Sequence, residues 1–598
     1  MPRLAPLVLL LTSLLAACEQ AASPDTAALQ DTLQPERASG YTEHGGWLHP
    51  RYAVAAANPL AAEAGREMLA AGGNAIDAAI AAQLVLGLVE PQSSGLGGGG
   101  FLLSWDGEQL IAWDGRETAP ASATPTLFMV DGEPMAFGEA VTSGLGVGIP
   151  GIMAMLADAH QQQGHLPWAR LFAPAITLAE QGFTISPRLH TLLESDPHLR
   201  RDPLAAALYY QPDGDAYPVG TLLRNPAYAA VLKQLAEKGG HAFYQGAIAA
   251  DIISRVNERA GRPHLQPDDL SGYQAIPRSA LCTPWLQVQV CGFPPPSSGH
   301  LTIMQLLGIL DQLDTRHHAS ADSFYTAAGL HDYLEAAKLA FADRARFIAD
   351  PDFVAAPGDD WTSLLAPNYL RQRSHWVQTP SAGLATAGNP APPLARYAPQ
   401  PAQPEFGTTH ISVIDAQGRA VAMTTSIEQA FGSRLMSDGG TGLAGGFLLN
   451  NQLTDFSFRP SDDAGRPIAN RVEPGKRPRS SMSPTLVFEA DTGDLVASLG
   501  SPGGAAIIHF TAKTLLGLLP WQLSPQDTVA LPNFGNFNSP QTLVETGRFA
   551  PEVLEGLISK GHTLNERELT SGIQALKVTP EGIAGGADPR REGWVAGD

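Results

Sequence analysis

FGTTHISVID, residues 406 to 415, opens abruptly after a long Pro- and Ala-rich tract. From Thr408 to Ile414 the residues alternate as in a strand, Asp415-Ala416-Gln417-Gly418 has turn composition, and Arg419 to Ile427 returns as a second strand. Upstream, TPSAGLATAGNPAPPLARYAPQPAQPEF (379–406) is low in complexity and rich in proline. It is expected to be extended and poorly packed, and it marks the one clear internal boundary. Thr408 thus stands at the start of a hairpin just where a linker stops. A strand threonine is ordinarily a β-branched packing residue. Its hydroxyl becomes a nucleophile when a base adjoins it, and a free α-amine on the same residue, with a pKa of about 7.7–8.0, is one such base. That amine exists only if the chain is cut between Gly407 and Thr408.

The bulk numbers leave room for such an enzyme. A length of 598 residues allows about four ordinary domains. Hydrophobic residues make up 44% and charged residues 16%, against about 25% charged in typical soluble domains, so a large core is possible. A net charge of −21 argues against nucleic acid or anionic lipid as partners and leaves small molecules or peptides. At the start, Arg3 precedes the apolar run Leu4 to Leu15, which has the form of a signal segment and falls short of the roughly 20 residues that span a bilayer. It ends in Leu15-Ala16-Ala17-Cys18, similar to a bacterial lipobox in which Cys18 is lipidated; the alternative is an ordinary signal cut after Ala17. Residues 1–18 are therefore read as a lipoprotein signal peptide and 19–45 as a flexible tether. The expected location is the bacterial cell envelope, periplasmic, with membrane contact through the lipid alone.

With Cys18 assigned to the lipid, Cys282 and Cys291 remain, and an extracytoplasmic setting permits a bridge. TPWLQVQV between them carries a Pro turn signal and strand alternation, so the pair either staples a small hairpin or is two buried thiols. Further upstream, Leu60 to Leu69 suggests a helix stopped by Gly72-Gly73. A second starts at Asn74, a good N-cap, and runs to about Val89, apolar on nearly all sides as in the interior of a large protein. Helical patterns recur through 151–182, 225–257 and 323–350. SSGLGGGGF (93–101) contains Gly95-x-Gly97-x-x-Gly100, but it follows a helix and leads into the strand-like FLLSWDG, the reverse of a dinucleotide loop. The 16 histidines are scattered without an HExxH, His317-His318 lies in a polar stretch typical of a solvated turn, and no GxSxG occurs. No metal site and no cofactor are expected.

TTHISVID, GFLLNNQLTDFS (446–457), KRPRSSMSPT (476–485), GSPGG (500–504), GGNAIDAA, SSGLGGGGF, DGRETAP and PPPSSG together resemble the γ-glutamyltransferase family, in order and spacing, from about residue 50 to the end. The resemblance implies an α+β fold, the four-layer αββα sandwich of N-terminal-nucleophile hydrolases, made as a proenzyme that cuts itself. Residues 46–407, with the Pro-rich tail 379–407, would form a large subunit and 408–598 a small one, joined as a heterodimer. It makes Thr408 the nucleophile of both the cut after Gly407 and the catalysis. Thr409 would point to the opposite face of the strand. Arg116 matches the guanidinium that holds the donor's α-carboxylate, a role its planar fork suits; otherwise it would pair with Glu117 at the surface. Ser480 and Ser481 match hydroxyl donors to the same carboxylate, and Gln452 and Asp455 match the positions that receive the α-ammonium, with Asn451 shaping the turn. Gly503 and Gly504 match the oxyanion hole, and Ser426 a hydroxyl near the nucleophile's amine.

Two departures bear on specificity. Glu428 stands where well-studied transferases have Asn, and RPSDDAGRPIANRVEPG (459–475) is short and lacks Tyr or Trp, so the aromatic lid of some members is reduced. Both features are reminiscent of relatives described as cephalosporin or glutaryl acylases. The reading is an autoprocessed amidase that transfers a γ-glutamyl group, from glutathione or related donors, to water or to an amino acid or dipeptide acceptor. A glutaryl-type acylase is the alternative, and an unprocessed binding lipoprotein a third.

Overall fold

The structure, a computed structural model, describes residues 38, 40–391 and 396–598. The expected signal peptide and lipidated Cys18 lie outside the described residues, as does most of the tether. The tether ends earlier than residue 45: the Thr42 N–H donates to the Pro589 carbonyl, and Tyr41 lies against the Arg548 and Arg590 guanidiniums.

The N-terminal helices form where capping chemistry and composition agree. Pro59–Ala70 starts with Asn58 accepting from the Leu60 N–H. Ala75–Val89 starts in a reciprocal box between Asn74 and Asp77, and all of its residues are buried. It packs on a seven-stranded sheet with the spatial order Trp594–Gly597, Ala53–Ala56, Thr409–Ile414, Ala420–Ser426, Gly99–Trp105, Leu110–Gly115, Ile276–Arg278. The hairpin expected around Asp415 is therefore the centre of this sheet, with Thr409 opposite Thr425 and Ile414 opposite Ala420.

A second seven-stranded sheet runs Trp47–His49, Gly582–Ala587, Gln574–Thr579, Leu495–Gly500, Thr485–Glu489, Val288–Gly292, Leu281–Trp285. Phe101, Leu103, Ile414 and Ala422 of the first sheet meet Phe293, Leu486 and Leu576 between the two, with the Phe101 and Phe293 rings stacked at 4.1 Å. Gly299–Leu310, Ala327–Phe347 and Ile507–Leu518 cover the outer face of the second sheet. The result is the expected four layers, helix, sheet, sheet, helix. Both faces of the central strand are buried, so its alternation does not separate core from water. Ile411 and Val413 face the helices, whereas His410 and Ser412 lie on the other side and bond to one another, to Thr424 and to the Gln574 carbonyl. Burial pushes the His410 imidazole down to about 3, so it is a neutral packing group.

Cys282 and Cys291 are bridged and sit directly opposite in the edge hairpin. Two readings of polar segments need correction. His318 is buried, with a solvated turn only at His317, which pairs with Asp332. The Pro-rich tract is docked, not loose: Ala398, Gln400 and Tyr397 are buried, the Ala398 N–H donates to the Pro467 carbonyl, and Ser381 bonds to Glu335. Composition foretold an extended chain but not that its polar groups would find partners on the helices beneath.

Candidate active site

The linker meets the sheet in a strained step. Gly407 has φ +42° and Thr408 φ +134°, a region that L side chains rarely adopt and that costs of order 1–3 kcal/mol. Gly407 is required there for a second reason: a Cβ would lie 1.9 Å from the Glu428 carbonyl oxygen. Thr408 is buried, its hydroxyl lies 3.4 Å from Ser426 Oγ, and Ser426 Oγ accepts from the Glu428 N–H at 2.8 Å. Thr409 turns to the helix side, 3.5 Å from Glu90, as strand alternation requires.

Gly503 and Gly504, at φ +132° and +56°, lead into a short 3₁₀ turn and the Ile507–Leu518 helix. A Cβ on Gly504 would sit 2.0 Å from the Glu405 carbonyl oxygen, so the linker backbone runs directly against this glycine.

Two charged clusters flank the hydroxyl. In the first, the Glu405 carboxylate accepts from Arg344 Nη2 at 2.8 and 3.1 Å and from the Ser481 hydroxyl; Arg344 also donates to Ser481 and Ser298. Burial alone would raise the Glu405 carboxyl, but Arg344 and Arg479 overcome it and hold it below the ordinary carboxylate range. Burial, with Arg344 alongside, drives the Arg479 guanidinium down to about 9. Ser480 is turned differently: its hydroxyl accepts from the Met482 N–H.

In the second cluster, Arg116 pairs with Asp455, donates through Nε to the Pro478 carbonyl and through Nη2 to the Arg479 carbonyl, and lies 3.8 Å from Glu117. It is wholly buried, not the surface partner of Glu117. Burial lifts Glu117 to about 8. Burial, then Asp455, raises Glu428 well above its ordinary range, and burial also raises Asp455. Asn451 donates to Glu428 and Gln452 to Asp455, so Asn451 does more than shape the turn. Among the described residues Glu428 Oε1, Gln452 Oε1 and Asp455 Oδ1 are buried acceptors without a partner. Three acceptors left this way call for a donor, since each costs about 1–3 kcal/mol.

Arg116, Thr408, Ser426, Gln452, Asp455, Ser480, Ser481 and Gly504 line one cavity, with Glu428 and Gly503 adjoining through Ser426 and Gly504. Glu405 and Phe406 line it too and leave a volume of only about 20 Å³, room for little more than a water. Sequence reasoning missed Glu405, Arg344 and the role of Arg479; the available signals were an acidic residue two positions before Gly407 and an arginine immediately before Ser480-Ser481-Met482. It also passed over His331, Glu335 and His562, whose ligand-type atoms lie within 4.8 Å of one another outside this cavity. Lys338 already occupies Glu335, and each ring nitrogen already has a hydrogen-bond partner.

A buried threonine hydroxyl behind a glycine, a Gly-Gly turn at positive φ and charged groups of both signs are now in one place, and comparison with known proteins follows the same lines. The Gamma-glutamyltranspeptidase family profile matches residues 61–598. The chain belongs to this family. Among curated members it is 34% identical to the glutathione hydrolase proenzyme of Bacillus subtilis (strain 168) over 91% of each chain. It is 33% identical to that of Escherichia coli (strain K12) over 90% of each. Among solved structures, cephalosporin acylase from Bacillus halodurans superposes with a TM-score of 0.78 at 25% identity, covering 94% of this chain and 99% of that one. The relatives and structural neighbours of the chain thus carry names of either chemistry, and the charges around Thr408 have to choose between them.

Proposed function

We propose that the protein is a self-processing γ-glutamyl amidase, acting on glutathione and related donors and passing the acyl group to water or to an amino acid or dipeptide. The observation that carries this reading is the set of unpartnered oxygens on Glu428, Gln452 and Asp455 beside a carboxylate-binding cluster. A γ-glutamyl head group brings one ammonium and one carboxylate and satisfies both. A glutaryl group lacks the ammonium and leaves those acceptors unanswered.

In the first step Thr408 Oγ attacks the Gly407 carbonyl carbon; the C–N bond breaks as the ester forms, the proton moves to the departing amine, and water hydrolyses the ester. Gly407 then carries a carboxylate and Thr408 a free α-amine. In turnover that amine takes the Thr408 hydroxyl proton while Oγ attacks the donor's amide carbon. The Gly503 and Gly504 N–H groups meet the developing oxyanion, a contribution of about 2.7–4 kcal/mol per donor in enzymes where one has been removed. The protonated amine releases its proton to the leaving amine. Water or an acceptor amine then repeats the sequence on the acyl-enzyme, and Ser426 holds the amine oriented. Arg116, Ser480 and Ser481 receive the donor's α-carboxylate, Gln452, Asp455 and Glu428 its ammonium, and no cofactor enters any step.

The test is kcat/KM on γ-glutamyl and glutaryl anilides. An unmet buried acceptor at about 1–3 kcal/mol corresponds to roughly 5- to 150-fold, so the γ-glutamyl anilide should win by that margin and Glu428→Gln should narrow it. Because burial and the neighbouring Asp455 raise the Glu428 carboxyl, the preference should grow as pH rises. Equal or better turnover of the glutaryl anilide would establish the acylase reading instead.

We also propose lipid attachment through Cys18 in the bacterial cell envelope, supported by Leu-Ala-Ala-Cys after an apolar run. A diacylglyceryl group on Cys18 in mass spectra is the expected result; a large chain that begins at Glu19 or beyond contradicts it.

A further inference from the structure

The bond between Gly407 and Thr408 lies between two anchors. Downstream, Thr409 is paired with Thr425 in the central hairpin, and the Thr408 carbonyl accepts from Arg591 Nη1 at 3.4 Å. Upstream stands Glu405, the only anionic side chain between residues 396 and 407. Its carboxylate accepts from Arg344 Nη2 and from the Ser481 hydroxyl, and its carbonyl oxygen runs against Gly504, where a Cβ would come within 2.0 Å. Arg344 is fixed in turn by Ser298 and by its cation–π contact with Phe341. The side chain and the backbone of Glu405 are thus both tied to the folded body, and only Phe406 and Gly407 connect it to the strand.

So short a span has little freedom, and the consequence falls on Thr408. At φ +134° the Gly407 carbonyl carbon nearly eclipses Thr408 Cβ about the N–Cα bond, whereas in an ordinary strand the two stand well apart. Eclipsing is unfavourable for a strand residue, but it is what an N-to-O shift requires. The ring formed in that shift has five members, the Gly407 carbonyl carbon with Thr408 N, Cα, Cβ and Oγ, and it closes only when the first and fourth lie nearly cis. The backbone therefore waits close to the geometry of attack.

Resting on the self-processing reading above, we infer that Glu405 is a positioning residue for the cut: its ion pair with Arg344 and its bond from Ser481 hold the linker where Phe406 and Gly407 reach the strand only with the torsion that presents the Gly407 carbonyl carbon to Thr408 Oγ. The C–O bond forms, the C–N bond breaks, the hydroxyl proton passes to the Thr408 nitrogen, and water then opens the ester. Glu405 acts through the backbone and supplies no reacting atom. Its task ends with the cut.

The cut is timed on newly translated chains, chased and resolved on a denaturing gel, for wild type, Glu405→Gln, Glu405→Asp and Thr408→Ala. A misplacement of about 1 Å at a reacting pair costs on the order of a hundredfold, so Glu405→Gln should slow the cut about ten- to a hundredfold. Glu405→Asp, which keeps the ion pair but shortens its reach by one methylene, should fall between. Two further readouts separate positioning from a damaged fold. Once cut, Glu405→Gln should turn over a γ-glutamyl anilide with kcat/KM within about twofold of wild type. Hydroxylamine, which opens esters, should leave the ratio of cutting rates between variant and wild type unchanged, because the shift and not the hydrolysis has slowed. Cutting at the wild-type rate by Glu405→Gln, or by Glu405→Asp where the glutamine variant gives no folded chain, overturns the inference. So does an equal loss in mature turnover, or a gap that hydroxylamine closes. If Thr408→Ala is cut as well, the self-processing reading itself falls and takes this inference with it.

Discussion

The peptide bond between Gly407 and Thr408 joins two regions that are both buried but held by different physics. On its C-terminal side, Thr409–Ile414 is a central strand with Ala53–Ala56 on one edge and Ala420–Ser426 on the other, every residue buried. On its N-terminal side, residues 396–407 add no strand to either large sheet; they are anchored by the Gln400, Gln403 and Glu405 side chains and by single main-chain bonds from Ala398 to the Pro467 carbonyl and from Gln400 to the Ala345 carbonyl. The strand can leave only by unfolding the molecule. The tail, apart from the bond to Thr408, is held by individual hydrogen bonds and one ion pair rather than by a ladder. Burial alone therefore does not say whether a segment is permanent. What matters is whether its partners are a ladder or a handful of replaceable ions.

The strongest way to break this contrast is to prevent the cut. Thr408→Ala should give one inactive chain, where the wild type gives bands of roughly 41 and 20 kDa on a denaturing gel at roughly 105 Da per residue. Cleavage at Gly407 in this variant would contradict self-processing. Gly407→Ala comes next. It places a Cβ against the Glu428 carbonyl at a positive φ, a cost of at least about 1–3 kcal/mol, so the time course of band formation should slow by tenfold or more.

Glu405→Gln sharpens the comparison without touching the bond. It leaves buried guanidiniums unpaired, at up to about 3–5 kcal/mol for the tail's docking. In the uncut Thr408→Ala background, amide exchange should accelerate across 396–407 and stay unchanged across 409–414. The pH dependence follows from the same carboxyl. Its folded value lies below an unfolded one of about 4.3, so its contribution is complete above that pH and is lost as pH falls through the folded value. Tail protection should accordingly persist at neutral pH and fade below about pH 4, while the strand stays protected. The smallest effect belongs to the far edge: Cys282→Ser with Cys291→Ser opens a short loop, costs no more than about 2–3 kcal/mol, and should lower Tm without altering processing.

Much of this was legible in the chain because local chemistry and tertiary packing agreed. Asn74 capped the helix it was expected to cap, the turn at Asp415 closed the hairpin, and the family motifs carried Arg116, Gln452, Asp455, Ser480, Ser481 and Gly504 to one cavity around Thr408. Glu405 was overlooked because a Pro-rich tract reads as solvent-exposed, and nothing in its composition reports that Arg344, in the last turn of a largely buried helix, waits at the end of it. The alternation of His410 and Ser412 misled in another way: polarity normally marks water, but here those side chains satisfy each other between two sheets. Arg116 lines the cavity, and only the three-dimensional positions of Asp455 and the Pro478 carbonyl reveal that its guanidinium donates to them as well.

The strand order of the nucleophile's sheet has one more consequence. Trp594–Gly597, Thr409–Ile414 and Ala420–Ser426 follow Gly407 in the chain, while Ala53–Ala56, Gly99–Trp105, Leu110–Gly115 and Ile276–Arg278 precede it, and Ala53–Ala56 lies between two strands of the later group. An uncut molecule that unfolds can reassemble this weave within itself. A cut one has lost its tether, and with it an effective concentration that flexible connections typically set near the millimolar range. Its renaturation becomes second order, a reunion of strangers whose half-time depends on dilution. The proposed cut thus gives the protein a memory: it erases the easy route by which the weave was made.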